Sequence, residues 1–224
     1  VGFKFMVKPH EDLTLARSPA PPPSGPRRGQ PNPHFLDAAY ATEAVVGPWQ
    51  EGLGDAAGAL LFQFARQPLG PPPAFAARLH RFFDGLPRGP LYAVELRNPE
   101  IPGPDYAAAL PPTGACHCLT VYAGMPDLAT QVRLTGAAAG PALVMRWIVR
   151  PDDGYAAAGE RLRPFDRLRE PDVRHRRQVA SLCVKAARRG MPALISVHNL
   201  AEGSGPLSII ELARAIVERL ERAE

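Results

Sequence analysis

Two runs decide the fold: Ala59-Leu60-Leu61-Phe62-Gln63-Phe64 and Leu91-Tyr92-Ala93-Val94-Glu95-Leu96. Both are almost continuously apolar, and neither alternates. A strand with one wet face alternates, whereas a parallel strand covered on both faces reads as an unbroken run. Between them, at residues 74–86, Phe75, Leu79, Phe82 and Phe83 recur at helical spacing with Arg78 and Arg81 in the gaps. The unit is therefore strand, helix, parallel strand.

The same reading extends in both directions. Further strand-like runs lie at residues 3–7, 116–122, 142–149 and 193–198. Helical patterns lie at residues 35–46, 172–189 and 207–220. Alternating strands and helices predict a parallel α/β architecture. On pattern alone a (β/α)8 barrel and a doubly wound sheet fit equally. Residues 16–33 hold seven prolines, with Arg27, Arg28 and Gly29, and form neither helix nor sheet interior. Too few residues precede this stretch for it to link domains, so it is read as a surface loop after the first strand.

Composition narrows the class. With 224 residues and 46% hydrophobic side chains, the chain can build a sizeable core. A net charge of +4 is mildly basic and speaks only to average surface potential. The three cysteines, Cys116, Cys118 and Cys183, form no disulfide framework, which favours a reducing, cytoplasmic compartment. Cys116-His117-Cys118 has the look of metal-ligand material, but in a strand His117 points away from the two thiols. The thiols are read as buried strand residues and no metal is assigned. No apolar run reaches the roughly 20 residues of a membrane span, so no membrane partner is expected.

At the two deciding strands the sequence resembles the DUF72 family, the YecE-like proteins. The residues that carry it are Leu60-Leu61-Phe62-Gln63-Phe64, Phe82-Phe83 with Leu86-Pro87, and Tyr92-Ala93-Val94-Glu95-Leu96-Arg97-Asn98. Phe3-Lys4-Phe5-Met6-Val7-Lys8 looks like the family's third strand. Arg146 matches an arginine of the seventh, and His198-Asn199 with Gly203 the end of the eighth. The resemblance implies a TIM-like barrel. Residues 1–224 are then one incomplete barrel domain holding strands three to eight, with the first two strand–helix units missing and residues 16–33 a loop within it. Two departures stand out: Thr14-Leu15 replaces the family's threonine-histidine pair, and Trp147-Ile148-Val149 follows Arg146 where the family has Arg-x-His-Gly.

Candidate residues cluster at strand ends. Glu95 and Arg97 lie two apart and face one side, either as a salt bridge or as a proton-transfer group beside an anion-binding fork. Lys8 and Gln63 are ligand-binding candidates, as is Arg146, a guanidinium inside an apolar run that needs a partner. His198 is a proton-transfer candidate and Asn199 an orienting one. Gly203 opens a loop and helix start suited to phosphate. Glu95 and His198, with Glu202 and Asp127, do not amount to a metal centre, and no cofactor is identified. Residues 160–189 hold ten Arg and Lys against four Asp and Glu, densest at Arg174-His175-Arg176-Arg177. That is either a solvated helix face or a phosphate-tracking surface.

The expected function is binding of a small anionic or phosphorylated ligand at the C-terminal mouth of the barrel. If the chain is an enzyme, Glu95 or His198 moves the proton. The alternatives are a nucleic-acid-binding or -processing protein, using Arg174, Arg176 and Arg177, and a non-catalytic barrel.

Overall fold

The computed structural model describes residues 2–18 and 29–222. Its strands are β1 (Phe5–Val7), β2 (Ala57–Phe64), β3 (Tyr92–Leu96), β4 (Cys116–Val121), β5 (Leu143–Trp147) and β6 (Ala193–Val197). Its α-helices are α1 (Ala38–Ala41), α2 (Gly47–Leu53), α3 (Pro72–Asp84), α4 (Pro104–Ala109), α5 (Leu128–Thr135), α6 (Tyr155–Leu162), α7 (Val173–Arg188) and α8 (Gly205–Glu221). Every strand pairs in parallel with the next in the chain, giving the order 1-2-3-4-5-6. This sequential parallel order is that of a TIM-like barrel, of whose eight strands the sheet holds six, as the resemblance implies.

The chain divides into two compact units, residues 1–117 with 134–136 and residues 118–133 with 137–224. In the first, Leu60, Phe62 and Phe64 of β2 and Tyr92, Val94 and Leu96 of β3 pack in one core with Phe75, Leu79, Phe82 and Phe83 of α3. Phe62 is wholly buried, with its ring edge-on to Phe82 and Phe83, 5.3 Å away in each case. Burying a side chain of this size contributes about 1.5–3 kcal/mol. The alternate side chains, Leu61, Gln63, Ala93 and Glu95, therefore face away from the helix layer.

In the second unit Leu119, Val121, Leu143, Met145 and Trp147 pack with Val179, Ala180, Cys183 and Ala186 of α7 and Leu212 of α8. Thr120, Arg146 and Ser196 take the opposite face. Gln131 of α5 is wholly buried and clamps β4: its carboxamide accepts from the Thr120 amide at 3.0 Å and donates to the Thr120 carbonyl at 2.8 Å.

Helix boundaries follow local chemistry. Prolines occupy the first turns of α2, α3, α4 and α8, where a missing N–H costs nothing. Asp37 and Asp172 cap α1 and α7 through side-chain acceptance of Tyr40 and His175 amides. The helix expected over residues 35–46 is displaced: α1 passes through a π-turn at Thr42–Val46 into α2, which Gly47-Pro48 begins. Residues 19–28 of the proline-rich stretch lie outside the described residues. Its two flanks are stitched together: Arg17 bridges Pro31, the Ser18 amide donates to Gln30 O, and the Gly29 amide donates to Ser18 O.

Candidate functional site

The sequence candidates of the first unit sit at the C-terminal ends of β1, β2 and β3, on the face away from the helices. Lys8 is exposed and its ammonium reaches Gln63 Oε1 at 3.4 Å. Gln63 stands opposite Glu95 in the β2–β3 register. Glu95 is wholly buried and ion-paired with Arg97, which is 8% exposed. In a buried pair each group replaces part of the other's lost hydration. The same-face placement read from the sequence therefore brings the two side chains into contact.

Beyond these strand ends, three carboxamides splint the loops. Gln67 accepts from the Ala16 amide at 2.8 Å and donates to Thr14 O at 2.7 Å. Asn98, buried, exchanges hydrogen bonds with the Gln67 backbone at 3.2 and 3.0 Å. Asn32 donates to Leu15 O at 2.7 Å. Nothing in the periodicity marks these residues, whose partners lie 17–53 positions away. On the helix side of the sheet, His117 Nδ1 lies 2.8 Å from Tyr106 Oη. Burial pushes the Cys116 thiol up to about 12, so it stays protonated.

In the second unit, Arg146 is half-buried on β5 and stands opposite Ser196 in the β5–β6 register. His198 follows β6 on the same face. Burial, and then the Arg146 charge, lower its pKa, so the imidazole is neutral at pH 7. Its Nδ1 accepts from the Leu200 amide at 3.2 Å. Tyr155, at the start of α6 and 49% exposed, lies 5.9 Å from the His198 ring, centroid to centroid, and 6.5 Å from that of Tyr122. This aromatic shelf was not singled out in the sequence, where Tyr122 and Tyr155 are far apart.

The loop after β6 is tightly specified. The Gly203 amide donates to Asn199 O at 2.8 Å, and the Gly205 amide to Asn199 Oδ1 at 2.8 Å. The amide of Gly203, the phosphate candidate, and that of Gly205 are thus both hydrogen-bonded to Asn199. Gly203 has φ +111°, and a Cβ there would stand 2.6 Å from Arg167 O. Glu202 beside it is wholly buried. Its Oε1 accepts from the Asp172 amide at 2.6 Å and from the Arg176 guanidinium. Its Oε2 has no hydrogen-bond partner among the described residues. Asp172 in turn holds His175 Nδ1 at 2.6 Å. Burial raises the Asp172 pKa, but hydrogen bonds from the His175 ring and amide, with the His175 and Arg150 charges, outweigh it and hold the carboxyl below its usual range.

The basic cluster is thus not one uniform face. Arg176 is turned inward onto Glu202, whereas Arg174 and Arg177 are exposed. A groove of about 760 Å³ along α8 is lined by Arg176, Arg177, Arg214, Arg219 and Arg222, with Glu211 and Glu218. Among the described residues no three His, Cys, Asp or Glu side chains cluster as a metal site, and no helix is long and apolar enough to cross a membrane.

Comparison with known proteins relates this arrangement of parallel strands to a family. The family model for DUF72, described as a protein of unknown function, matches residues 1–223. The chain belongs to the DUF72 family. A DUF72 family protein from Enterococcus faecalis is 15% identical with a TM-score of 0.63, over 96% of this chain and 74% of that one. A DUF72 family protein from Thermotoga maritima is 14% identical with a TM-score of 0.51, over 75% of this chain. The match spans 60% of the Thermotoga protein's length. At such identities the likeness speaks to the fold alone. No curated protein matches the chain.

Proposed function

We propose that this DUF72 chain binds a small anionic, phosphorylated ligand at the C-terminal ends of its parallel strands, on the sheet face away from the helices. The observation that carries the reading is the Arg146–His198 neighbourhood. There a half-buried guanidinium stands on the strand face, and its field reaches a histidine at the strand end. A positive potential in a partly desolvated setting attracts a phosphate or carboxylate more strongly than the same charge in water. Tyr155 gives a ligand body a flat surface beside His198. Barrel folds build their sites at these strand ends. Asn199 organises the loop, so anion contact rests on Arg146 rather than on the Gly203 amide. In the first unit Lys8, Gln63 and Arg97 offer a second polar strand-end set. If chemistry follows binding, neutral His198 is the group suited to accept a proton.

The test is a titration with inorganic phosphate and with ribose 5-phosphate, following the His198 ring by NMR. A bound anion beside Arg146 screens its charge and stabilises the imidazolium, so the His198 pKa should rise on binding. Arg146→Gln should abolish both binding and the shift. An unmoved His198, or binding unchanged in Arg146→Gln, refutes the reading.

A second reading follows from the α8 groove. Arg177 and Arg219 form no ion pair among the described residues, so the groove retains cationic character suited to a nucleic-acid backbone. That reading requires binding that weakens steeply with salt and is lost in Arg174→Gln/Arg177→Gln. The strand-end reading requires that this double variant bind phosphate normally.

A further inference from the structure

The helix layer of the second unit leaves a cavity of about 390 Å³ near the start of β5, away from the strand ends considered above. Its wall is aliphatic: Leu119 of β4, Leu143 of β5, Leu182 and Ala186 of α7, and Met191 beyond it. Three cations from the end of α7 frame it, Lys185, Arg188 and Arg189. No acidic residue lines it, and none of the three cations is ion-paired among the described residues. The Arg189 guanidinium donates to Ala138 O at 2.6 Å, which fixes that side chain at the opening.

Helix geometry makes this arrangement. Positions 182, 185 and 186 share one stripe of α7 at i, i+3 and i+4, and Arg189 at its C-cap continues it, so the stripe passes from aliphatic wall to cationic rim. Cations in a last helical turn are favoured by the carbonyl dipole, but that effect requires no cavity beneath them. The volume lies within the range of small-molecule sites, which are mostly apolar with a few placed polar groups.

We propose that this cavity binds a free amphipathic carboxylate, with its apolar body against the aliphatic wall and its carboxylate at the Lys185–Arg188–Arg189 rim. The apolar wall selects against small hydrophilic anions. The rim selects against uncharged chains of equal length. A carboxylate on this rim gains charge-assisted hydrogen bonds from the cations, while burial of its apolar body against the aliphatic wall supplies the hydrophobic contribution.

The experiment is calorimetric titration of the 224-residue chain with decanoate, using decanol and acetate as comparators. One saturable decanoate site is expected, with decanol and acetate at least about tenfold weaker. Lys185→Gln/Arg188→Gln changes exposed side chains; it should weaken decanoate at least about tenfold and leave decanol unchanged. Val132→Trp, which fills the cavity from α5, should abolish binding with the melting transition retained. Absence of saturable decanoate binding overturns the proposal, as does decanol binding equally well or indifference to the double charge variant. Chain that sediments with phosphatidylglycerol vesicles while failing to bind decanoate would also overturn it, because the ligand source would then be a bilayer.

Discussion

Removal of the Glu202 carboxylate should be among the most damaging single changes in the second unit. Glu202 is wholly buried, and Arg176 opposite it has 12% side-chain exposure. Among the described residues, Glu202→Ala leaves a largely desolvated guanidinium with only the Glu211 carboxylate at 3.9 Å, and the Asp172 amide without its acceptor. Breaking one side of a buried ion pair costs about 3–5 kcal/mol. In a chain of this size each kcal/mol moves the melting temperature by about 2–4 °C, so a fall of about 6–20 °C is expected. The cycle is completed with Arg176→Met and the double variant. Removing both charges also removes both desolvation penalties, and apolar replacement of a buried pair is often neutral. The double variant should therefore be more stable than Glu202→Ala alone. Thermal unfolding followed by circular dichroism reads all four proteins. A shift under about 2 °C in Glu202→Ala, or a double variant equal to the sum of the singles, would falsify the buried-pair account.

Gly203→Ala should destabilise the chain more than Gly190→Ala. Both glycines have positive φ, a strain of about 1–3 kcal/mol for an L side chain, but only at Gly203 does the new Cβ also meet backbone; differential scanning fluorimetry compares them. Phe62→Ala opens the aromatic cluster of the first unit and should cost about 3–5 kcal/mol, read as a lower urea midpoint. Asp172→Asn tests linkage. A carboxyl with a depressed folded pKa contributes stability that is present above its unfolded pKa, about 3.9, and lost as pH falls through the folded value. The wild-type advantage over Asp172→Asn should be full at pH 6 and shrink as the pH drops from about 4 toward 2. An advantage that does not change with pH would remove the proposed role of the Asp172 charge.

Much of the fold was legible because buried parallel strands announce themselves. Residues 59–64 and 91–96 lost alternation because both faces are buried: helices cover one, and the other, with Leu61 and Ala93 buried, turns polar only at Gln63 and Glu95 near the strand ends. The Glu95–Arg97 contact was legible as well, since strand periodicity fixes same-face neighbours two residues apart. The helices α4, α5 and α6 are short, α4 and α6 are alanine-rich, and none carries an apolar stripe strong enough to stand out. The site was less legible where partners are distant in sequence. Arg176 belongs to a run of basic residues in which nothing distinguishes the inward member from Arg174 and Arg177. Only the turn after β6 carries Glu202 to it, 26 positions later. The commitment of the Gly203 and Gly205 amides to Asn199 has the same origin, because it depends on how a loop closes rather than on its composition.

The stitched flanks of residues 19–28 have a consequence for how this chain tolerates change. Ser18 and Gly29 are joined, and Arg17 and Pro31 are bridged, before any intervening residue contributes. The stem thus closes by itself, and the entropy of what lies beyond it grows only logarithmically, by about 0.6 kcal/mol for each doubling in length. Changes in the length of that stretch therefore alter the closure entropy of the stem only slightly. A protein engineer can use the same position to graft an epitope, a reporter or a second domain without moving β1.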